Sequence, residues 1–132
     1  EYLTEMTVAT PTEATLAARA LMAKGKAKLV IATGLHIGAD IANVAVTADA
    51  TWVCAAPMVD APAYGAGDLF ASVYLARYLE DASPSRALEL ATSAVHAVFV
   101  ETARLELPEL ALIPAQAMLA DPPHLFAAKD VQ

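Results

Sequence analysis

Gly65-Ala66-Gly67-Asp68 stands between a proline-bearing stretch, Ala56 to Tyr64, and an apolar run that begins Leu69-Phe70. Two glycines in four residues let the backbone take angles barred to other residues and come close to a ligand. A helix that opens there points unpaired N–H groups at whatever lies in front of it, an arrangement suited to phosphate oxygens. A carboxylate in the same turn does not itself bind phosphate, but it is placed to take a proton from a hydroxyl that attacks one. Loop, helix start and carboxylate together point to phosphoryl transfer to an alcohol. The plainer reading of the same residues is a tight turn with Asp68 as an N-terminal cap.

Downstream of the motif, residues 68–80 have helical composition, with Leu69, Phe70, Val73, Tyr74, Ala76 and Leu79 expected to face inward. Ser83-Pro84 is a cap followed by a proline suited to a first helical position, and it opens a long helix over about 85–104. Pro108, Pro114, Pro122 and Pro123 break the tail into short pieces. Upstream, Pro57 and Pro62 make 56–64 an irregular loop. Before it, 41–46 and 51–55 read as strands, joined by a hairpin turn at Thr47-Ala48-Asp49-Ala50. Leu29-Val30-Ile31-Ala32 reads as a strand buried on both faces, with His36 in a glycine-flanked loop beyond it. Thr10-Pro11-Thr12-Glu13 is a helix start with a capping box, and the helix runs to Gly25. A helix followed by a buried strand is half of a βαβ unit. The pattern predicts an α/β fold: a mostly parallel sheet with flanking helices, the hairpin at its edge, and a site at the carboxyl ends of the strands.

A chain of 132 residues is one domain at most, and at 58% hydrophobic residues it buries a real core. A net charge of −7 argues against a nucleic-acid partner, because no basic stripe is present to neutralise phosphates. Lys24, Lys26 and Lys28 read as a solvated turn. Cys54 stands alone, which excludes an internal disulfide and fits a reducing cytoplasm. It reads as a small packed residue of a strand. No apolar run reaches membrane length, and nothing at the start resembles a signal peptide. The opening Glu1-Tyr2-Leu3-Thr4-Glu5-Met6 lacks an initiator methionine and reads as the middle of an element, so a longer polypeptide is expected.

Val59-Asp60 followed by Gly65-Ala66-Gly67-Asp68-Leu69-Phe70 resembles the signature of the ribokinase-like kinases. Ala94-Val95-His96-Ala97-Val98, Leu112-Ile113-Pro114-Ala115-Gln116 and Pro123-His124-Leu125-Phe126 resemble the C-terminal half of the bacterial pyridoxal (pyridoxamine) kinases. Glu1-Tyr2-Leu3-Thr4-Glu5 is similar to the segment just beyond their Asn-x-x-Glu motif. The resemblance covers nearly all of residues 1–132. It implies a three-layer ribokinase-like sandwich, of which this chain is the C-terminal, ATP-binding and catalytic part with the N-terminal half absent. The implied reaction is ATP-dependent phosphorylation of the 5′-hydroxymethyl group of pyridoxal, pyridoxamine or pyridoxine. Asp68 then matches the general base. Gly65, Ala66 and Gly67 match an anion hole of backbone amides. Thr33 matches a nucleotide-contacting residue at the end of its strand, and Ala56, Pro57, Met58 and Val59 match the stretch along which ATP lies. Mg²⁺ accompanies ATP in the family, a monovalent cation activates some members, and a cytoplasmic homodimer is implied. The stretch between Asp60 and Gly65 is shorter than in the enterobacterial enzymes and nearer the sugar-kinase pattern. A basic residue that the family carries at the Thr33 position is absent.

Two alternatives stand beside this reading. One is a sugar or hydroxymethylpyrimidine kinase of the same superfamily; the other is a non-catalytic nucleotide-binding or interaction module. Among single residues, Asp60 is expected to cap a turn rather than approach a metal. His96 is expected as a packed core residue on the long helix, and His36 and His124 as solvated. Met58 is a candidate lining of an adenine pocket. The histidines and Cys54 lack zinc-ligand spacing, so no protein-held metal site is expected. Ser72 lacks the glycines of a nucleophile elbow.

Overall fold

The computed structural model describes residues 4–131. Glu1-Tyr2-Leu3, which carries part of the family resemblance, lies outside them. Helix α1 spans Pro11–Lys24. The Glu13 amide donates to Thr10 Oγ1 at 3.2 Å, and the Thr10 amide donates to Glu13 Oε2 at 3.0 Å. This reciprocal pair satisfies donors that a helix start leaves open. The Ala9 amide adds a bond to the same carboxylate at 2.9 Å. That amide first, then the Thr10 hydroxyl and amide, hold the Glu13 carboxyl below its usual range. The buried residues of α1 are Ala14, Ala17 and Ala18, and their small side chains let the helix lie close against a sheet.

The sheet contains β1 (Leu29–Ile37), β2 (Asp40–Thr47), β3 (Thr51–Pro57) and β4 (Lys129–Asp130), in that spatial order. Every neighbouring pair is antiparallel. The expected mostly parallel sheet is therefore corrected for these strands. Gly38-Ala39 alone joins β1 to β2, and residues 48–50 join β2 to β3; parallel pairing needs a crossover of about a dozen residues or more. Strand β1 also runs beyond its expected end. It carries Thr33 and Gly34 in its interior and His36 near its tip, so His36 is a strand residue and Thr33 does not end the strand. Leu29 to Ala32 are half-buried, not covered on both faces, since β2 is the one strand neighbour of β1 among the described residues.

Alternation along β2 divides the core between two faces. Ala42, Val44 and Val46 pack with Leu35, Ala14 and Ala18 on the α1 side. On the opposite side Ala45 and Cys54 join Phe70 and Tyr74 of α2 (Ala66–Asp81) and Ala87, Leu88, Ala91 and Val95 of α3 (Pro84–Arg104). The result is three layers: α1, the sheet, then the α2–α3 pair. Ser83 caps α3 by accepting from the Arg86 amide at 3.3 Å. Tyr74 Oη donates to the Pro84 carbonyl at 3.1 Å, which fastens α2 to the start of α3. On α2 the ring stack Phe70–Tyr74–Tyr78 runs along one i, i+4 stripe. Leu79, expected inward, is 75% exposed because it lies off that stripe, and Ala76 is exposed with it.

Beyond α3 come the short α4 (Gln116–Ala120) and a strap that returns along α3. The Phe126 amide donates to Ser93 Oγ at 2.9 Å and the Ala128 amide to Glu89 Oε1 at 3.0 Å. Cys54 Sγ donates to the Phe126 carbonyl at 3.4 Å. The strap then adds β4 to the edge of β3. Among the described residues no helix is long and apolar enough to cross a membrane.

Candidate active site

Strand β3 ends at Pro57 and the chain loops to α2, leaving a cavity of about 640 Å³ between that loop, the outer half of β1 and the middle of α3. That volume suits a small-molecule ligand. Ala56, Pro57, Met58, Val59 and Asp60 form the loop wall; Thr33, Gly34 and His36 come from β1. Ala66, Gly67 and Phe70 bring in the first turn of α2, and Thr92, Val95, His96 and Phe99 come from α3. Thr33, the whole 56–59 stretch, Ala66 and Gly67 thus meet at one cavity, although the chain separates the first from the last by more than thirty positions. Gly65 and Asp68 do not line its wall. They flank the two residues that do, and both are exposed.

The start of α2 is built by Gly65. It takes a left-handed conformation, φ +81°, as the N-cap, which glycine adopts without the Cβ penalty of other residues. The Ala66 amide donates back to the Ala63 carbonyl at 3.0 Å and the Leu69 amide to the Gly65 carbonyl at 2.9 Å. Among the described residues the amides of Gly65, Gly67 and Asp68 have no acceptor. The free donors at this helix start are therefore those three, while Ala66, expected among them, is engaged. Asp68 is not the cap of the alternative reading; it sits in the first turn, its carboxylate without a hydrogen bond among the described residues.

A residue that sequence reasoning missed organises the opposite wall. Ala32 pairs with Val44 and Leu35 with Ala42, so Thr33 and Gly34 together face the single residue Asn43. This is a β-bulge, which breaks the ladder and re-aims a side chain. Asn43 is buried, with Oδ1 accepting from the Gly34 amide at 3.2 Å and Nδ2 donating to Thr92 Oγ1 at 3.2 Å. The signal available was a lone amide in Ile41-Ala42-Asn43-Val44-Ala45-Val46, where every neighbour is apolar.

His96 is half-buried and reaches the cavity with its ring edge-on to Phe126, centroids 4.9 Å apart. Burial, and secondarily His124, hold its pKa below the usual value, so it is neutral at pH 7. The expected packed histidine is thus also a wall of the site. His36 is exposed at the cavity and His124 is exposed beside Phe126. Asp60 lines the cavity without a hydrogen-bond partner among the described residues, in place of the turn cap expected.

The donors present suit a nucleotide. Apolar Pro57, Met58, Val59, Val95 and Phe99 offer a flat-ring environment, and the open amides of α2 face outward for phosphate. Among the described residues no three His, Cys, Asp or Glu side chains converge to hold a metal. Mg²⁺ is commonly held by one or two carboxylates together with substrate phosphates, and among the described residues Asp60 is the carboxylate that lines the cavity.

Solved structures share this architecture. Pyridoxal kinase from Entamoeba histolytica superposes with TM-score 0.86 at 19% identity, over 98% of this chain and 47% of that one. Pyridoxal kinase from Leishmania donovani, in complex with ADP and ginkgotoxin, also gives TM-score 0.86, at 15% identity over 98% of this chain and 48% of that one. The fold is that of the ribokinase-like α/β kinases. The sequence aligns over its whole length with pyridoxal kinase PdxY of Deinococcus radiodurans, 35% identical over 142 residues and 47% of that protein. The chain spans about half the length of the relatives it matches. No family model matches it.

Proposed function

We propose that this chain is the C-terminal, ATP-binding and catalytic part of a kinase that phosphorylates the 5′-hydroxymethyl group of pyridoxal, pyridoxamine or pyridoxine. The observation that carries the reading is the cavity of about 640 Å³ shared by Thr33, residues 56–59 and the α2 start. It is supported by the 35% identity to a pyridoxal kinase and by the ADP complex of a structural neighbour. Bound ATP, with its Mg²⁺, supplies the phosphoryl group. Thr33 and Ala56, Pro57, Met58 and Val59 hold the nucleotide along the cavity wall. The Gly65 and Gly67 amides, with that of Asp68, donate to the oxygens of the transferring phosphoryl. Asp68 accepts the proton of the attacking hydroxyl as its oxygen bonds to phosphorus and the bond to the leaving diphosphate breaks. A cytoplasmic homodimer, with a monovalent cation as activator, completes the proposal.

The test is ATP-dependent formation of pyridoxal phosphate by the intact gene product, followed by absorbance. Product formation that needs both ATP and a B6 vitamer is the expected result; none from a folded, ATP-binding protein overturns the substrate assignment. The short Ala61–Tyr64 stretch favours a second reading, a sugar or hydroxymethylpyrimidine kinase, which the same assay with those alcohols decides.

A further inference from the structure

The bulge in β1 has a dedicated side-chain partner. A β-bulge leaves one backbone group out of the ladder, and that group needs another acceptor. Here the side chain of the facing residue supplies that acceptor: Asn43 Oδ1 takes the Gly34 amide at 3.2 Å. Its other end is tied to the helix layer, Nδ2 to Thr92 Oγ1 at 3.2 Å. Asn43, Thr92, Thr33 and Gly34 all border the same cavity. Gly34 holds φ +74°, a conformation that side-chain-bearing residues rarely adopt. Thr33, its neighbour in the bulge, is exposed toward the site.

We propose that Asn43 is a positioning residue for nucleotide binding: it bridges the β1 bulge to α3 and thereby sets where Thr33 meets the nucleotide. The inference rests on the nucleotide site proposed above. It assigns a function to a buried amide that otherwise sits in an apolar strand. An alanine or valine there would pack against the same neighbours and would leave the Gly34 amide and the Thr92 hydroxyl without this bridge.

The experiment uses the intact gene product and measures ATP affinity directly by calorimetry, KM for ATP and for pyridoxal, and the melting temperature. Asn43→Ala is expected to weaken ATP binding about tenfold, in line with the loss of a buried hydrogen bond, and to raise KM for ATP without a matching rise for pyridoxal. Asn43→Asp keeps the acceptor for Gly34 and is expected to recover most of the affinity. Because the effect passes through Thr33, Asn43→Ala costs less ATP affinity on a Thr33→Ala background than on the wild type. Equal ATP affinity in a folded Asn43→Ala overturns the inference, as does a loss that adds fully to that of Thr33→Ala. If Asn43→Ala does not fold, Thr92→Val, which removes the hydroxyl that anchors Asn43 to α3, takes its place with the same criteria. A wild type that binds no ATP removes the nucleotide site and this inference together; a wild type that binds ATP while the variants match it removes only the inference.

Discussion

The Leu69 amide donates to the Gly65 carbonyl at 2.9 Å, and this first helical bond of α2 leaves the Gly67 and Asp68 amides pointing out of the helix start. The two glycines of the motif answer to different demands. Gly65 needs φ +81°, whereas Gly67 has no left-handed angle, and a Cβ at either would meet no atom within 4 Å. Gly65→Ala should therefore cost about 1 kcal/mol of stability through backbone strain alone. Gly67→Ala should leave the urea midpoint unchanged or raised, while a methyl placed where phosphate approaches lowers turnover. A Gly67→Ala protein that melts early would show that the second glycine serves the fold instead.

Asp68 is exposed and its carboxylate makes no hydrogen bond among the described residues, so its replacement should spare the fold. Asp68→Asn in the intact protein is expected to cut kcat by at least about a hundredfold, the lower end of general-base contributions, with an unchanged melting curve. Near-normal turnover would remove Asp68 as the base.

Cys54 is fully buried, and burial pushes its thiol up to about 11 from an ordinary 9.0. The native thiol keeps its proton where the unfolded one loses it. The stability tied to that proton is whole below about pH 9 and is lost as pH rises toward about 11. Burial raises Tyr74 in the same direction. Cys54→Ala should flatten the alkaline fall in stability, read from urea midpoints between about pH 9 and about pH 11. Native Cys54 should also resist thiol reagents at neutral pH until urea is added.

Thr102 is fully buried on α3, donating to the Val98 carbonyl at 2.7 Å and accepting from the Ala111 amide at 2.9 Å. Thr102→Val keeps the shape but leaves the Ala111 amide without an acceptor beside a nearly inaccessible residue. The expected cost is about 1–3 kcal/mol, seen as a lower urea midpoint at constant slope. No change would mean that the tail re-forms that bond elsewhere.

The helices were legible because their signals are local. Thr10-Pro11-Thr12-Glu13 and Ser83-Pro84 carry their own caps, and α1 and α3 begin where those residues place them. The glycine-rich turn was legible for the same reason. Strand direction is not a local signal, since Leu29 to Ala32 read alone as a self-contained buried strand. The chain instead continues through Thr33 and Gly34 to a two-residue turn, and only pairing with β2 reveals that continuation. Composition places Leu79 inward, yet the stripe that packs is Phe70–Tyr74–Tyr78.

By itself the sequence determined the caps, the element order, the glycine turn with its adjoining carboxylate, and the family likeness, all of which depend on neighbours within a few positions. Only the tertiary structure decided which amides at α2 stay open, that Thr33 and residues 56–59 share a cavity with that turn, and that Asn43 braces the bulge between them. Those facts come from long-range pairing: a buried amide or an open N–H is defined by what the rest of the chain brings beside it, and local periodicity carries no record of that.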